Sequence, residues 1–395
     1  MKSKALIILA LVMMINALSY GTIIPLLYPY ASRFGINPLG LSLLFASFSL
    51  FQFLATPIIG ALSDKYGRKP LLLLSLLGTS LSLAFFASAQ SVWQLFLARI
   101  LDGITGGNMS VAQAVIADSV AGKQRARAFG MLGASFGFGF LVGPALGGLL
   151  STYGLTVPFW FASGLALTGT IFGYFFLEET NPKHKRTHLS SDIKFVNPAS
   201  LLHALKMPVV GVLILITFIT SLSGNAFIIG FQSFTVDVLK LSPKEIGLLF
   251  TASGLVSMLM QASGIKLLEK WIPSKAKLLL YLFVFSASLL FALTFASSLV
   301  WFAIIVMLFM FPNSATAPVL QGLVSENSPD HSQGKTLGIA ASFMSLGQII
   351  GPIAAGLVAN FFVPGIFTMS SMLMVVALII VVRKIVPNRS SLTID

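Results

Sequence analysis

The sequence predicts an all-α integral membrane protein with twelve transmembrane helices in two parallel six-helix halves. Three observations predict it. Only 9% of the 395 residues are charged while 56% are hydrophobic, against about 25% charged in ordinary soluble domains. The apolar residues collect in long runs of the length a bilayer demands, about 20 residues each. The second half of the chain also repeats the first. In lipid every backbone amide needs an internal partner, so such runs are read as helices.

Twelve runs are expected at about 5–29, 40–62, 70–88, 92–117, 126–150, 156–177, 208–235, 245–268, 276–296, 299–324, 335–360 and 364–384. The basic start Met1-Lys2-Ser3-Lys4 leads into an apolar run to about Pro29, too long for a secretory signal core and without an obvious cleavage site. It is taken as the first transmembrane helix. Most connections are short. The exception opens with Glu178-Glu179-Thr180-Asn181-Pro182-Lys183-His184-Lys185-Arg186. That stretch divides the chain into an amino-terminal half (1–178), a cytoplasmic linker (179–207) and a carboxy-terminal half (208–395).

The net charge of +13 would suggest nucleic acid in a soluble protein, but here it reports topology. With the amino terminus inside, 21 Lys and Arg residues fall on the cytoplasmic side and only Arg33, Lys240 and Lys244 on the other. By the positive-inside rule both termini are expected in the cytoplasm. Nucleic acid is not an expected partner; the lipid bilayer is. Cysteine is absent, which removes disulfides and thiolate metal sites. The histidines at 184, 188, 203 and 331 lie in predicted loops without metal-ligand spacing. No cofactor, metal or P-loop is expected, nor any clustered acid, base or nucleophile of an enzyme.

The repeat is explicit between 111–149 and 319–357 at an offset of 208. Gln113 meets Gln321, Asp118 meets Glu326, Gly139 meets Gly347, Gly143-Pro144 meets Gly351-Pro352 and Gly148 meets Gly356. A fainter match at offset 205 sets Pro38 on Pro243 and Leu43-Leu44-Phe45 on Leu248-Leu249-Phe250. Six helices separate the copies, so both insert in the same sense. Parallel repeats suit a transporter whose site lies near midplane between them.

Three strings carry chemistry. Between the second and third segments stands Gly60-Ala61-Leu62-Ser63-Asp64-Lys65-Tyr66-Gly67-Arg68-Lys69-Pro70. Gly60 and Gly67 would allow close helix approach and a tight reversal, Pro70 suits a first helical turn, and Asp64 and Arg68 can pair. Within the fourth segment lies Arg99-Ile100-Leu101-Asp102-Gly103-Ile104-Thr105-Gly106-Gly107. At ~1.5 Å per residue, Arg99 is roughly 10 Å and Asp102 roughly 15 Å from the outer end. Asp102 is thus the one acid expected inside a helix core. Intramembrane charges mark function by default, although residues three apart share a face and can form a purely structural pair. The fifth segment carries Gly137, Gly139 and Gly143-Pro144-Ala145-Leu146-Gly147-Gly148, small residues spaced for close packing around a proline that bends a helix.

These strings resemble, in order, the signature loop of the major facilitator superfamily (G-x-x-x-D-x-x-G-R-K-P), its second motif (R-x-x-x-G-x-x-G-G) and the G-x-x-x-G-P-x-x-G-G motif of its exporting branch. The stretch from Arg99 to Gly148 is similar to bacterial tetracycline efflux proteins and their drug:proton antiporter relatives. The resemblance implies a cytoplasmic charge lock in which Arg68 pairs with Asp118 and Asp64 faces the start of the eleventh helix near Gly334-Lys335. It also implies a central cavity lined by helices one, four, seven and ten. Their polar members are Asn16, Asp102, Asn108, Asn225 and Asn313, with Gln232 nearer the outer mouth. The second signature loop has decayed to Gly264-Ile265-Lys266-Leu267-Leu268-Glu269-Lys270. Asn16 occupies the place of the first-helix acid of the tetracycline exporters, so proton coupling would rest on Asp102 with Arg99. The reading is a monomeric, proton-coupled exporter of small amphipathic or drug-like molecules in a bacterial inner membrane. The alternative is a transporter of a metabolite or siderophore, uncoupled or importing.

Overall fold

The computed structural model describes residues 3–120, 123–182, 186, 204–329 and 333–385. Most of the predicted linker and all four histidines lie outside the described residues. Within them the chain is helical throughout, with Ser3–Ile23 continued by short turns to Phe34, then Pro38–Tyr66, Arg68–Ala87, Lys123–Leu150 and Val157–Phe176 in the first half. The second half has Val210–Ser233, Pro243–Leu259 continued to Trp271, Lys275–Leu293, Leu299–Glu326, Gln333–Ala359 and Gly365–Ile380. Eleven of these helices are long and apolar enough to cross a membrane. Their wide faces of exposed Leu, Phe and Trp, such as Leu81, Phe175 and Trp301, are what a lipid-facing surface requires.

The fourth segment departs from expectation. The sequence reads as one helix over 92–117, but it forms two pieces, Val92–Thr105 and Asn108–Ser119. The break falls at Gly106-Gly107, where the Gly106 amide bonds the Gly103 carbonyl at 3.0 Å and the Gly107 amide bonds the Thr105 carbonyl at 2.8 Å. The ladder is therefore tightened and then interrupted. Glycine is the poorest non-proline helix former, and Gln52 Nε2 donates to the freed Gly106 carbonyl at 3.0 Å. A side chain at either glycine would meet Gln52 or Ile59.

The described chain forms two compact units. The first comprises Met1–Asn37, Ser47–Phe195 and Leu241–Gly254, and the second Pro38–Ala46, Val196–Lys240 and Leu255–Asp395. In the first unit Ser19 Oγ donates to the Ala162 carbonyl at 2.6 Å, joining helices one and six. In the second, Ser223 Oγ donates to the Ser370 carbonyl at 3.0 Å, joining seven and twelve. The glycine pattern repeats likewise. A Cβ on Gly143 would lie 2.6 Å from the Gly21 carbonyl carbon in helix one, and one on Gly351 would lie 2.5 Å from the Leu222 carbonyl oxygen in helix seven. Such backbone proximity is what small residues provide in membranes, where no hydrophobic force drives helices together.

The helix ends remote from Arg68 follow the same rule. Gly148 and Pro144 of helix five pack on Gly247 at the start of helix eight within the first unit. Gly356 of helix eleven packs on Leu39 and Ser42 at the start of helix two within the second. The two offsets of the sequence repeat, 208 and 205, relate these contacts. Gly139 and Gly147 also lie against helix one, whereas Gly137 has open space around its Cα. Lys123–Leu150 runs as one helix through Pro144.

Candidate functional site

The signature loop is a charge cluster centred on one buried side chain. Helix two ends at Tyr66, and Gly67 turns the chain with φ of 110°, a conformation that favours glycine. Arg68 then opens helix three with its side chain only 10% exposed. Its Nη2 meets Asp64 Oδ1 at 2.5 Å and its Nε meets Asp118 Oδ2 at 2.8 Å. Its Nη1 donates to Ser63 Oγ at 2.6 Å. Asp64, which the resemblance directs toward the eleventh helix, is thus also held by Arg68. Gly60 needs no close approach, because a Cβ there would touch nothing within 4 Å.

Sequence reasoning missed the third carboxylate. Glu179, just past helix six, accepts from the backbone amides of Arg68 at 2.9 Å and Lys69 at 3.3 Å. It caps the free amides that open helix three, where the helix dipole favours a negative charge. Its carboxylate fills the space a Gly67 side chain would need. Asn181 Nδ2 donates to the Asp64 carbonyl at 2.9 Å, and Arg186 reaches Glu179 at 4.0 Å and the Asn181 carbonyl at 3.1 Å. Lys69 Nζ donates to the Tyr174 carbonyl at 2.7 Å. In the sequence these linker residues look like a solvated polar run. The missed signal was a helix start, Gly67-Arg68-Lys69, with no side-chain cap of its own.

The second half keeps an equivalent pair despite its decayed signature string. Lys275, at the start of helix nine, pairs with Glu326 at the end of helix ten. Glu326 is the residue the repeat aligns with Asp118, so the signal was already in the offset of 208.

Deeper in the first unit, Arg99 and Asp102 form a buried pair. Arg99 Nη1 donates to Asp102 Oδ2 at 2.8 Å, with side chains 6% and 1% exposed. Tyr20 of helix one donates its hydroxyl to Asp102 Oδ1 at 3.0 Å and lies 3.3 Å from Thr79 Oγ1 of helix three. The Arg99 guanidinium stacks over Phe48 of helix two, 4.2 Å from its centroid, an attraction that strengthens out of water. Four helices therefore converge on one carboxylate, and the break in helix four follows it by four residues.

Of the remaining sequence candidates, Asn16, Asn108 and Gln232 are buried, with 1%, 5% and 0% exposure. Asn16 has both side-chain polar atoms buried without a hydrogen bond, and Asn108 has its Nδ2 so. Asn225 and Asn313 do come together. They line a cavity of 250 Å³ within the second unit, with Gln321, Gln348, Thr316 and Met344. Among the described residues no His, Asp or Glu cluster could hold a metal.

The sequence matches the family described as Major Facilitator Superfamily over residues 9–311 and again over 213–393. The chain belongs to the major facilitator superfamily. It is 32% identical to the class C tetracycline resistance protein of Escherichia coli, covering 89% of each chain. It is 28% identical to multidrug resistance protein 2 of Bacillus subtilis, covering 91% of this chain and 90% of that one. The crystal structure of the human organic anion transporter MFSD10 has the same fold, with a TM-score of 0.72 at 22% identity over 96% of this chain and 99% of that one. The chain is accordingly a multi-pass inner-membrane transporter of small molecules with the twelve-helix fold of its superfamily, related to tetracycline and multidrug efflux proteins and not an enzyme.

Proposed function

We propose that the chain is a proton-coupled exporter of small amphipathic molecules, working by alternating access as a monomer with both termini in the cytoplasm. The observation that carries this reading is Asp102, a carboxylate buried among four helices with one cationic and one phenolic partner. A charge at such depth costs about 3 kcal/mol on insertion scales, so a carboxylate retained there has work to do. Protonating it would release Arg99 from its partner and turn Oδ1 or Oδ2 into a donor. Tyr20 and Thr79 carry the change to helices one and three, and the Gly106-Gly107 break is the point at which helix four can yield.

In this reading Asp102 replaces the acid that the tetracycline exporters carry at the position of Asn16. Arg68, with Asp64, Asp118 and Glu179, holds the cytoplasmic ends of helices two, three, four and six together, and substrate movement requires that cluster to shift. The relatives' association with resistance to tetracycline and to multiple drugs supports export over import.

The test is transport into proteoliposomes under an imposed pH gradient. Asp102→Asn keeps an acceptor for Arg99 but cannot cycle a proton. It is expected to lose uphill transport while retaining downhill exchange. If the double variant Arg99→Gln with Asp102→Asn folds and still drives substrate uphill with the gradient, the coupling assignment is wrong. If both single variants fail to fold while the double variant folds without altered coupling, the pair is structural.

A further inference from the structure

The cavity within the second unit has a chemistry that the superfamily assignment does not supply. Helix seven contributes Asn225, helix ten contributes Asn313 and Gln321, and helix eleven contributes Gln348, around 250 Å³ of space. Hydroxyls nearby are turned onto the protein: Thr217 bonds the Leu213 carbonyl at 2.9 Å, Thr316 bonds the Pro312 carbonyl at 2.8 Å, and Ser221 bonds the Met344 carbonyl at 2.7 Å. Asn225 spends its Nδ2 on the Ser221 carbonyl at 2.8 Å, which leaves Oδ1 as an acceptor. Among the described residues the side chains of Asn313, Gln321 and Gln348 make no hydrogen bond to protein.

Three whole carboxamides and one spare amide oxygen therefore border the same space. Each carboxamide presents both a donor and an acceptor, so together they match a group that also presents both. No Asp, Glu, Lys or Arg lines the cavity. The sequences 208–235 and 278–325, which supply three of its four amides, contain no Asp, Glu, Lys, Arg or His. A charged ligand group would find no counter-charge there and would pay the full intramembrane penalty. Leu320, Met344 and Met374 supply the apolar remainder, methionine being the side chain that best adapts to varied shapes. The volume lies just below the range of about 300–1,000 Å³ typical of small-molecule sites, which suits one end of a drug-sized molecule.

We propose that this cavity binds the uncharged hydrogen-bonding end of the transported molecule, a carboxamide, ketone or hydroxylated group, and discriminates against charge. The ion chemistry and the ligand chemistry are then divided between units: charge at Arg99 and Asp102, neutral recognition at Asn225, Asn313, Gln321 and Gln348. The inference rests on the chain being a small-molecule transporter, but not on protons driving it.

Equilibrium binding to the purified full-length protein, with no pH gradient, separates the two. The probes are chloramphenicol, an uncharged aryl amide with two hydroxyls, and tetraphenylphosphonium, a cation without hydrogen-bonding groups. The wild type is expected to bind chloramphenicol saturably. Gln348→Met and Asn313→Leu, which keep size and remove hydrogen bonds, should each weaken it by roughly five- to tenfold, one hydrogen bond being worth about 1 kcal/mol. Neither should change tetraphenylphosphonium binding. The isosteric Gln321→Glu should raise affinity for the cation and lower it for the amide, and it serves if the apolar variants fail to fold. Absence of chloramphenicol binding to the wild type, unchanged binding in the amide variants, or equal loss of both probes would overturn the proposal. Normal binding without proton-driven transport would overturn only the coupling assignment.

Discussion

The two halves of this chain share a scaffold and differ in what they mount on it. Both tie their first and sixth helices together with a serine hydroxyl on a carbonyl, Ser19 to Ala162 and Ser223 to Ser370. Both bring a Gly-Pro pair, Gly143-Pro144 and Gly351-Pro352, against the first helix of the half. Yet the first half holds a buried Arg99–Asp102 pair and an arginine ringed by carboxylates. The second half holds neutral amides and one half-exposed Lys275–Glu326 pair. Packing is kept by the duplication because both copies must meet the same lipid and the same helix spacing. Chemistry is free to diverge because a charge inside a membrane is costly and needs only one location.

The comparison is broken most easily at the charge clusters. Arg68→Ala removes the partner of Asp64, Asp118 and Ser63 together. Transport in proteoliposomes is expected to fall tenfold or more while membrane insertion persists; near wild-type rates would show that the ring of carboxylates has no gating role. Asp64→Asn leaves Arg68 paired with Asp118, so its loss should be smaller but still measurable.

The scaffold should respond evenly where the chemistry does not. Gly143→Val and Gly351→Val each drive a branched side chain into the backbone of the facing helix. Overpacking of this kind costs about 1–3 kcal/mol or more, and thermal unfolding in detergent should fall by comparable amounts in both. A large drop in one and none in the other would separate the halves structurally as well as chemically.

Weaker effects sharpen the difference. Glu179→Ala leaves the amides of Arg68 and Lys69 uncapped, a loss of about 0.5–2 kcal/mol for a helix start. The equivalent helix start at Lys275 is capped by its own Ser274, so nothing comparable is needed in the second half. Lys275→Ala should be the mildest change, about 0–1 kcal/mol as for surface pairs, read by the same unfolding measurement. An effect as large as that of Arg68→Ala would mean that the second half retains a working lock.

Much of this was legible in the sequence because it follows from length and period. Twelve apolar runs, the repeat at offset 208 and the signature strings all depend on residue type at fixed spacing, and Arg68–Asp118 followed from resemblance. The break at Gly106-Gly107 was not read, since an apolar run with two glycines looks continuous until the ladder is traced. Glu179 and Asn181 were not singled out, because their roles depend on the start of helix three and the end of helix two, 110 to 117 residues away, rather than on local pattern. Gln348 was not found at all. Gln321 was visible as the repeat partner of Gln113, but only the fold shows it beside Asn313 on one cavity. Asn16 and Asn108 were expected to line the central cavity, and both side chains are buried; polarity in a helix does not by itself reveal what a residue faces.

The most direct test of the central claim, that Asp102 is the group that exchanges protons for substrate, is proton release on binding. Unbuffered purified protein with a pH indicator, titrated to saturation with a transported substrate, should release protons in the wild type and none in Asp102→Asn. Equal proton release from the two proteins would contradict the account and place coupling elsewhere.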